Sequence, residues 1–214
     1  MKVEKIFWAD PYLTELTAKI TSVDRERITV DRTIAYAFSG GQESDRGTIN
    51  KYNIVKAEKL GKQIVYFMEE IHNLKMGDDV LIRIDWERRY KIMRLHFAAE
   101  LVLELITQNF SEPMKVGAHI AEDKARVDFL WQGNISETFE LLNNEIQDLV
   151  QQDLLINSQF SDPEREIRYW EIAGFAKVPC GGTHLQKTGE LGQVVLKRNN
   201  IGKGKERIEI TLAN

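Results

Sequence analysis

The sequence predicts an α+β protein in two parts: a small N-terminal antiparallel β-barrel over residues 1–84, then an α+β domain over residues 85–214 with a buried central helix and antiparallel strands. Two observations carry that expectation. Up to Ile84 the chain consists of short segments rich in β-branched and aromatic residues, partly alternating in polarity and separated by turn residues, as strands in a small barrel or sandwich are. At Asp85 the period of the apolar residues changes from two to between three and four, which marks a helix.

The expected strands of the first part are Leu16–Ile20, Arg27–Val30, Thr33–Phe38, Ile54–Glu58, Gln63–Phe67 and Asp79–Ile84. Turns between them are marked by Asp24-Arg25, Gly40-Gly41, Gly61-Lys62 and Met76-Gly77-Asp78. A helix from Trp86 to Gln108 follows, apolar on most of its circumference: Tyr90, Met93, Phe97, Leu101 and Leu105 form one stripe, and Ile92, Ala99, Leu103 and Ile106 lie beside it. A second helix is expected over Ile135–Leu154, with Asn134 and Glu137 at capping-box spacing and Ile135, Phe139, Leu142, Ile146 and Leu149 on one face. Strands at Arg168–Ile172 and Phe175–Val178 precede a closing hairpin, Gln193–Lys197 with Glu206–Leu212, across Gly202-Lys203-Gly204.

Composition bounds the function. A chain of 214 residues, 43% hydrophobic and 29% charged, can bury ordinary cores. No apolar run is long enough for a membrane span, and the N-terminus lacks the apolar stretch of a signal peptide, so a soluble cytoplasmic protein with no membrane partner is expected. A formal net charge of −4 argues against bulk attraction to nucleic acid and against DNA as a partner, while permitting a local basic patch. A single cysteine excludes an internal disulfide.

That cysteine, Cys180, stands four residues before His184, with Gly181, Gly182 and Thr183 between. The pair suits metal ligation in a tight loop, a nucleophile with its base, or a small core residue beside an incidental histidine. Upstream, His96 and Glu100 are four apart on the first predicted helix and share a face one turn apart, as a ligand pair or an ion pair would. Zinc accepts imidazole, carboxylate and thiolate, so the two pairs together can form a tetrahedral set, or three ligands with an open position. Gly40 and Gly41 make a turn or a loop that approaches a ligand closely, with Gln42 beside them as donor and acceptor. Two basic groups are candidates for phosphate contacts: Arg88, Arg89 and Arg94 with Lys91 on the first helix, and Lys197 and Arg198 with Lys203, Lys205 and Arg207 in the closing hairpin.

Three blocks raise a family resemblance that runs from about Val30 to the C-terminus. Cys180-Gly181-Gly182-Thr183-His184-Leu185, continued by Lys187-Thr188-Gly189-Glu190, resembles the second metal motif of the alanyl-tRNA synthetase editing domain and of the free-standing AlaX editing proteins. Phe38-Ser39-Gly40-Gly41-Gln42 through Ile49 is similar to the glycine-rich loop of that family, and Asp85-Trp86 through His96 to the approach to its first metal motif. The resemblance implies a zinc-dependent hydrolase that removes serine or glycine from mischarged alanine tRNA at its acceptor end. It implies His96, Glu100, Cys180 and His184 as ligands, Gly40, Gly41, Gln42 and Thr183 on the substrate side, and Arg88, Arg89, Arg94, Lys197 and Arg198 toward the tRNA. One position departs: the first motif usually carries two histidines, and Glu100 stands at the second. Glu100 is either a ligand or a group that orients water or the substrate amine. A noncatalytic zinc-containing tRNA-binding protein and a hydrolase of another mischarged aminoacyl-tRNA are the alternatives. No adenylate-forming module is read in the sequence, so tRNA charging is not expected.

Overall fold

A computed structural model describes residues 2–68, 72–111 and 113–213, and among them the chain is mostly β with two α-helices. The backbone divides into two compact units, Met1–Tyr90 and Lys91–Asn214.

The first unit contains β1 (Glu4–Lys5), β2 (Glu15–Asp24), β3 (Arg27–Val30), β4 (Arg32–Thr33), β5 (Gly47–Ile49), β6 (Tyr52–Leu60), β7 (Gln63–Met68) and β8 (Asp79–Ile84). Six of these pair in the order β2-β3-β7-β6-β5-β8, and β8 pairs back onto β2, so the sheet closes on itself. The alternation has the expected cause: Ile64, Tyr66 and Met68 of β7 are buried with Ala18, Ile20, Ile28, Val30, Val80 and Ile82, while intervening residues face outward. Gly47 lets β5 lie against β8, because a Cβ there would meet the Arg83 carbonyl and Ile84 Cα.

The expected strand at Thr33–Phe38 is corrected to the two-residue β4. Side chains take the backbone donors that a ladder would use: Ala35 N donates to Thr33 Oγ1 at 3.0 Å, and Tyr36 N to Asp45 Oδ2 at 2.6 Å. Ile34–Ala37 are nonetheless buried, which explains their apolar composition.

Helix α1 (Trp86–Asn109) begins at Asp85, whose carboxylate accepts from Arg88 N at 3.1 Å. The division between units falls inside its first turns, after Tyr90. Two arginines explain why. Arg89 is fully buried, ion-paired with Asp45, and donates to Pro11 O at 2.9 Å and Ile34 O at 2.6 Å. Arg88, 5% exposed, reaches Glu43 at 2.6 Å and Ser44 O at 3.2 Å. Both charges therefore serve the fold, and the expectation that Arg88 and Arg89 meet tRNA phosphates is replaced by this internal role. From Ile92 to Ile106 only Arg94, Glu100, Leu103 and Glu104 escape full burial.

The second unit continues with β9 (Met114–Ile120), β10 (Ala125–Leu130), α2 (Phe139–Gln152), β11 (Asn157–Asp162), β12 (Ile167–Ile172), β13 (Ala176–Pro179), β14 (Val194–Gly202) and β15 (Lys205–Leu212). It forms two antiparallel sheets, β14-β15-β10-β9 and β11-β12-β13. A 3-10 turn, Ile135–Thr138, precedes α2. Asn134 caps that turn by accepting from Ser136 N at 3.1 Å, where the spacing had suggested a capping box with Glu137. Leu142, Ile146 and Leu149 bury the inner face of α2. Among the described residues no helix is long and apolar enough to cross a membrane.

Candidate metal centre

Two elements of the second unit present the ligand candidates: α1 carries His96 and Glu100 one turn apart, and the loop after β13 carries Cys180 and His184. Backbone and arginine contacts hold that loop. Cys180 N donates to Arg168 O on β12 at 2.9 Å, and Arg168 returns a bond to Gly182 O at 3.3 Å. Arg94 on α1 donates to Leu191 O through Nε at 3.0 Å and Nη2 at 2.8 Å. The Lys187-Thr188-Gly189-Glu190 block is a structural clasp. Thr188 Oγ1 accepts from Leu154 N at 2.8 Å and donates to Leu149 O, and Lys187 pairs with Asp153 at 2.8 Å. Glu190 accepts from Gln186 N and Lys187 N, each at 3.0 Å. These bonds fasten the segment after His184 to the end of α2.

The four side chains converge, each offering one donor atom within 4.8 Å of the others. His96 Nε2 lies 3.6 Å from Cys180 Sγ and 3.6 Å from Glu100 Oε1, while His184 Nε2 lies 3.1 Å from Glu100 Oε2. Donors on a tetrahedron of zinc bonds are separated by roughly 3.3–3.7 Å, and the two contacts of His96, at 3.6 Å, fall in that range. The two imidazoles stack at 5.1 Å between centroids. Their far nitrogens are occupied: His96 Nδ1 donates to Thr183 O at 3.3 Å, and His184 Nδ1 lies 3.2 Å from Ser158 Oγ. Each ring thus turns Nε2 inward, the arrangement that fixes a metal-binding histidine. His184 Nε2 and Glu100 Oε2 are buried 3.1 Å apart and make no regularly directed hydrogen bond to any other group. Two orphaned polar atoms, a thiol and a second imidazole around one point fit a zinc ion.

Electrostatics set the protonation of the metal-free centre. Burial, the strongest influence on His96, lowers its pKa, and the neighbouring Glu100 carboxylate acts against it. Burial alone would raise the pKa of Glu100, but His96 and His184 outweigh it and bring the value to about 2. Burial and then Glu100 push the Cys180 thiol well up. A cation in the centre reverses that last effect, and the Gly182 N–H, 3.4 Å from Sγ, favours thiolate as well.

Comparison with known proteins agrees with the motifs. The alanyl-tRNA editing protein AlaX-M of Pyrococcus horikoshii is 32% identical over 212 residues, covering 97% of this chain and 97% of that protein. The chain belongs to the AlaX family of alanyl-tRNA editing proteins. Similarity to the AlaX-M of Methanosarcina barkeri is 30% over 242 residues, covering 99% of both. An alanine–tRNA ligase of Ignicoccus hospitalis is 30% identical over 230 residues, which are 96% of this chain and 25% of the ligase. Residues 2–88 match the family described as class II (A) tRNA synthetases, and residues 167–209 the second additional domain of threonyl and alanyl tRNA synthetases. The AlaX likeness therefore extends upstream of Val30. Only Cys180 and His184 fall within a matched family segment; His96 and Glu100 lie between the two.

The remaining candidates are placed as follows. Gly40 and Gly41 form a turn in the first unit at φ +62° and +90°, closed by reciprocal backbone bonds between Ser39 and Gln42 at 3.0 and 3.2 Å. Space around Gly40 is open, so the left-handed backbone and not crowding asks for glycine. Gln42 is buried, and Thr183 is buried beside the centre with its carbonyl on His96. Arg94 is spent on Leu191, and Arg198 grips Glu206 through two bonds of 2.6 Å. Lys197 is exposed on β14. Sequence reasoning missed Ser158: it lies on β11, a polar strand without alternation, and only the strand's place beside the loop brings its hydroxyl to His184.

Proposed function

We propose that this chain is a free-standing, zinc-dependent hydrolase that removes serine or glycine from mischarged alanine tRNA. The observation that carries the reading is the convergence of His96, Glu100, Cys180 and His184 on one point in a member of the AlaX family. The physical need is clear. A pocket sized for alanine cannot strongly reject a slightly different small amino acid, so a second, hydrolytic site must do so. Zinc held by these residues would supply Lewis acidity toward the ester or a water molecule.

The chain's own residues divide the remaining work. Thr183 O and Ser158 Oγ keep the two imidazoles turned inward, and Cys180 would hold the ion as a thiolate, its proton passing to solvent. Glu100, ionised against both rings, completes the set or holds the substrate's ammonium group. Thr183, whose carbonyl holds His96, takes the substrate side of the centre. Of the basic residues named from the sequence, Lys197 and Lys203 are exposed in the closing hairpin and are the natural phosphate contacts.

A second reading has one observation in its favour. Four protein donors close a tetrahedral set, as in structural zinc sites, whereas catalytic sites usually keep a position open. That favours a noncatalytic zinc-containing tRNA-binding protein. The readings separate in one assay, in which alanine tRNA charged with labelled serine is incubated with zinc-loaded and chelator-stripped protein. Editing predicts serine release by the loaded protein alone. An ester left intact while zinc and RNA are both bound selects the noncatalytic reading, and release from other mischarged tRNAs only would assign a different substrate.

A further inference from the structure

The outer face of the closed sheet carries a feature that editing chemistry does not use. Register places Arg27, Phe67 and Lys56 in one row across β3, β7 and β6. The Arg27 guanidinium and Lys56 ammonium lie 5.4 and 5.6 Å from the Phe67 ring centre. In the next row Glu58 pairs with Val65 and is bridged by Phe38, whose side is 53% exposed. These residues and Lys59 border an open hollow of about 660 Å³ in the first unit. Lys56 is ion-paired with Glu58, so Arg27 and Lys59 make this face locally positive on a chain of formal net charge −4.

We propose that this face binds single-stranded RNA, with Phe38 stacking on a base and Arg27 and Lys59 meeting phosphates. The proposal rests on the editing reading for its partner, the unpaired 3′ end of the tRNA. An open aromatic ring among cations is the combination that binds unpaired nucleotides: rings accept any base face, and cations follow the backbone. The cations already lie over Phe67, so Phe38 supplies the open ring. Duplex RNA offers the same phosphates but hides its base faces. A second copy of this chain is disfavoured, because a symmetric contact would bring two positive faces together.

The test uses the zinc-loaded full chain and a fluorescently labelled, uncharged single-stranded RNA ending in CCA, followed by anisotropy across a salt series. Single-stranded RNA should bind more tightly than the same sequence in a duplex. Phe38→Ala should weaken binding roughly 5- to 100-fold, and Phe38→Tyr should keep it. Arg27→Gln with Lys59→Gln should flatten the slope of log affinity against log salt by roughly 1.4. Circular dichroism should match the wild type, since the substituted side chains lie on the surface. Equal affinity of Phe38→Ala and wild type overturns the proposal. So does equal binding of duplex and single strand, or self-association that Phe38→Ala abolishes. Because the RNA carries no amino acid, serine release by the wild type with binding unaltered in the variants sinks this surface and leaves editing in place. Phe38-dependent binding without serine release does the reverse.

Discussion

Glu100→Gln tests the centre most directly, because it keeps the side chain's shape and removes its charge. One carboxylate spans both rings, with Oε1 at 3.6 Å from His96 Nε2 and Oε2 at 3.1 Å from His184 Nε2. A glutamine amide can offer one oxygen to an ion, but its NH₂ group cannot ligate and turns a donor toward the other ring. Structural zinc sites bind with roughly 10–16 kcal/mol over four ligands, so one ligand is worth roughly 2.5–4 kcal/mol, or about 100- to 1,000-fold in Kd. Competition against a chromophoric chelator at fixed pH should therefore show a loss of about two orders of magnitude for Glu100→Gln. Glu100→His, which restores a fourth ligand, should stay within about tenfold of the wild type by the same reckoning. Glu100→Gln with wild-type zinc affinity would refute the four-ligand argument. Glu100 would then be a pendant group that handles substrate, and the variant should lose deacylation rate alone.

Three further outcomes follow from the same geometry. With the Cys180 thiol pushed up beside the ionised Glu100, thiolate ligation must expel the thiol proton. Zinc affinity should climb about tenfold per pH unit below that raised pKa, and a weakly buffered titration should register a released proton that Cys180→Ser removes; a flat pH profile would exclude thiolate ligation. Ser158→Ala frees the His184 ring and should weaken zinc roughly 10- to 100-fold, read by the same competition, while an unchanged Kd would reduce Ser158 to packing. Arg89→Ala leaves the Asp45 carboxylate buried without its partner and should lower stability by about 3–5 kcal/mol in urea unfolding; a loss under about 1 kcal/mol would show that the pair is dispensable.

The features legible in the sequence were those with a period or a distinctive block. α1 and the strands Arg27–Val30 and Asp79–Ile84 appear where the apolar spacing put them, because burial dictates spacing. β9 and β11 were missed for the same reason. Met114–Ile120 carries few buried residues and a glycine in its interior, and Asn157–Asp162 is polar on both faces, so neither shows alternation. β5 is three residues long and its decisive feature, Gly47 against the β8 backbone, is a tertiary contact. In the centre, the spacings His96–Glu100 and Cys180–His184 were visible, but Ser158 was not. Basic residues were hardest to read: Arg88, Arg89 and Arg94 pass for phosphate contacts, yet their partners Glu43, Asp45 and Leu191 lie at separations no local pattern reveals.

Glu100 in place of the family's usual second histidine alters charge more than shape. Two neutral imidazoles with a thiolate and a carboxylate balance a divalent ion, whereas three imidazoles and a thiolate would leave one positive charge in the same buried volume. A balanced site costs less to bury, which favours tight ion binding. It withdraws electrons less strongly, which lowers any Lewis acidity. It also repels the ammonium group of an aminoacyl ester less, which favours substrate over free carboxylate product. As a ligand, Glu100 would thus trade acidity for retention of the ion and tolerance of a cationic substrate.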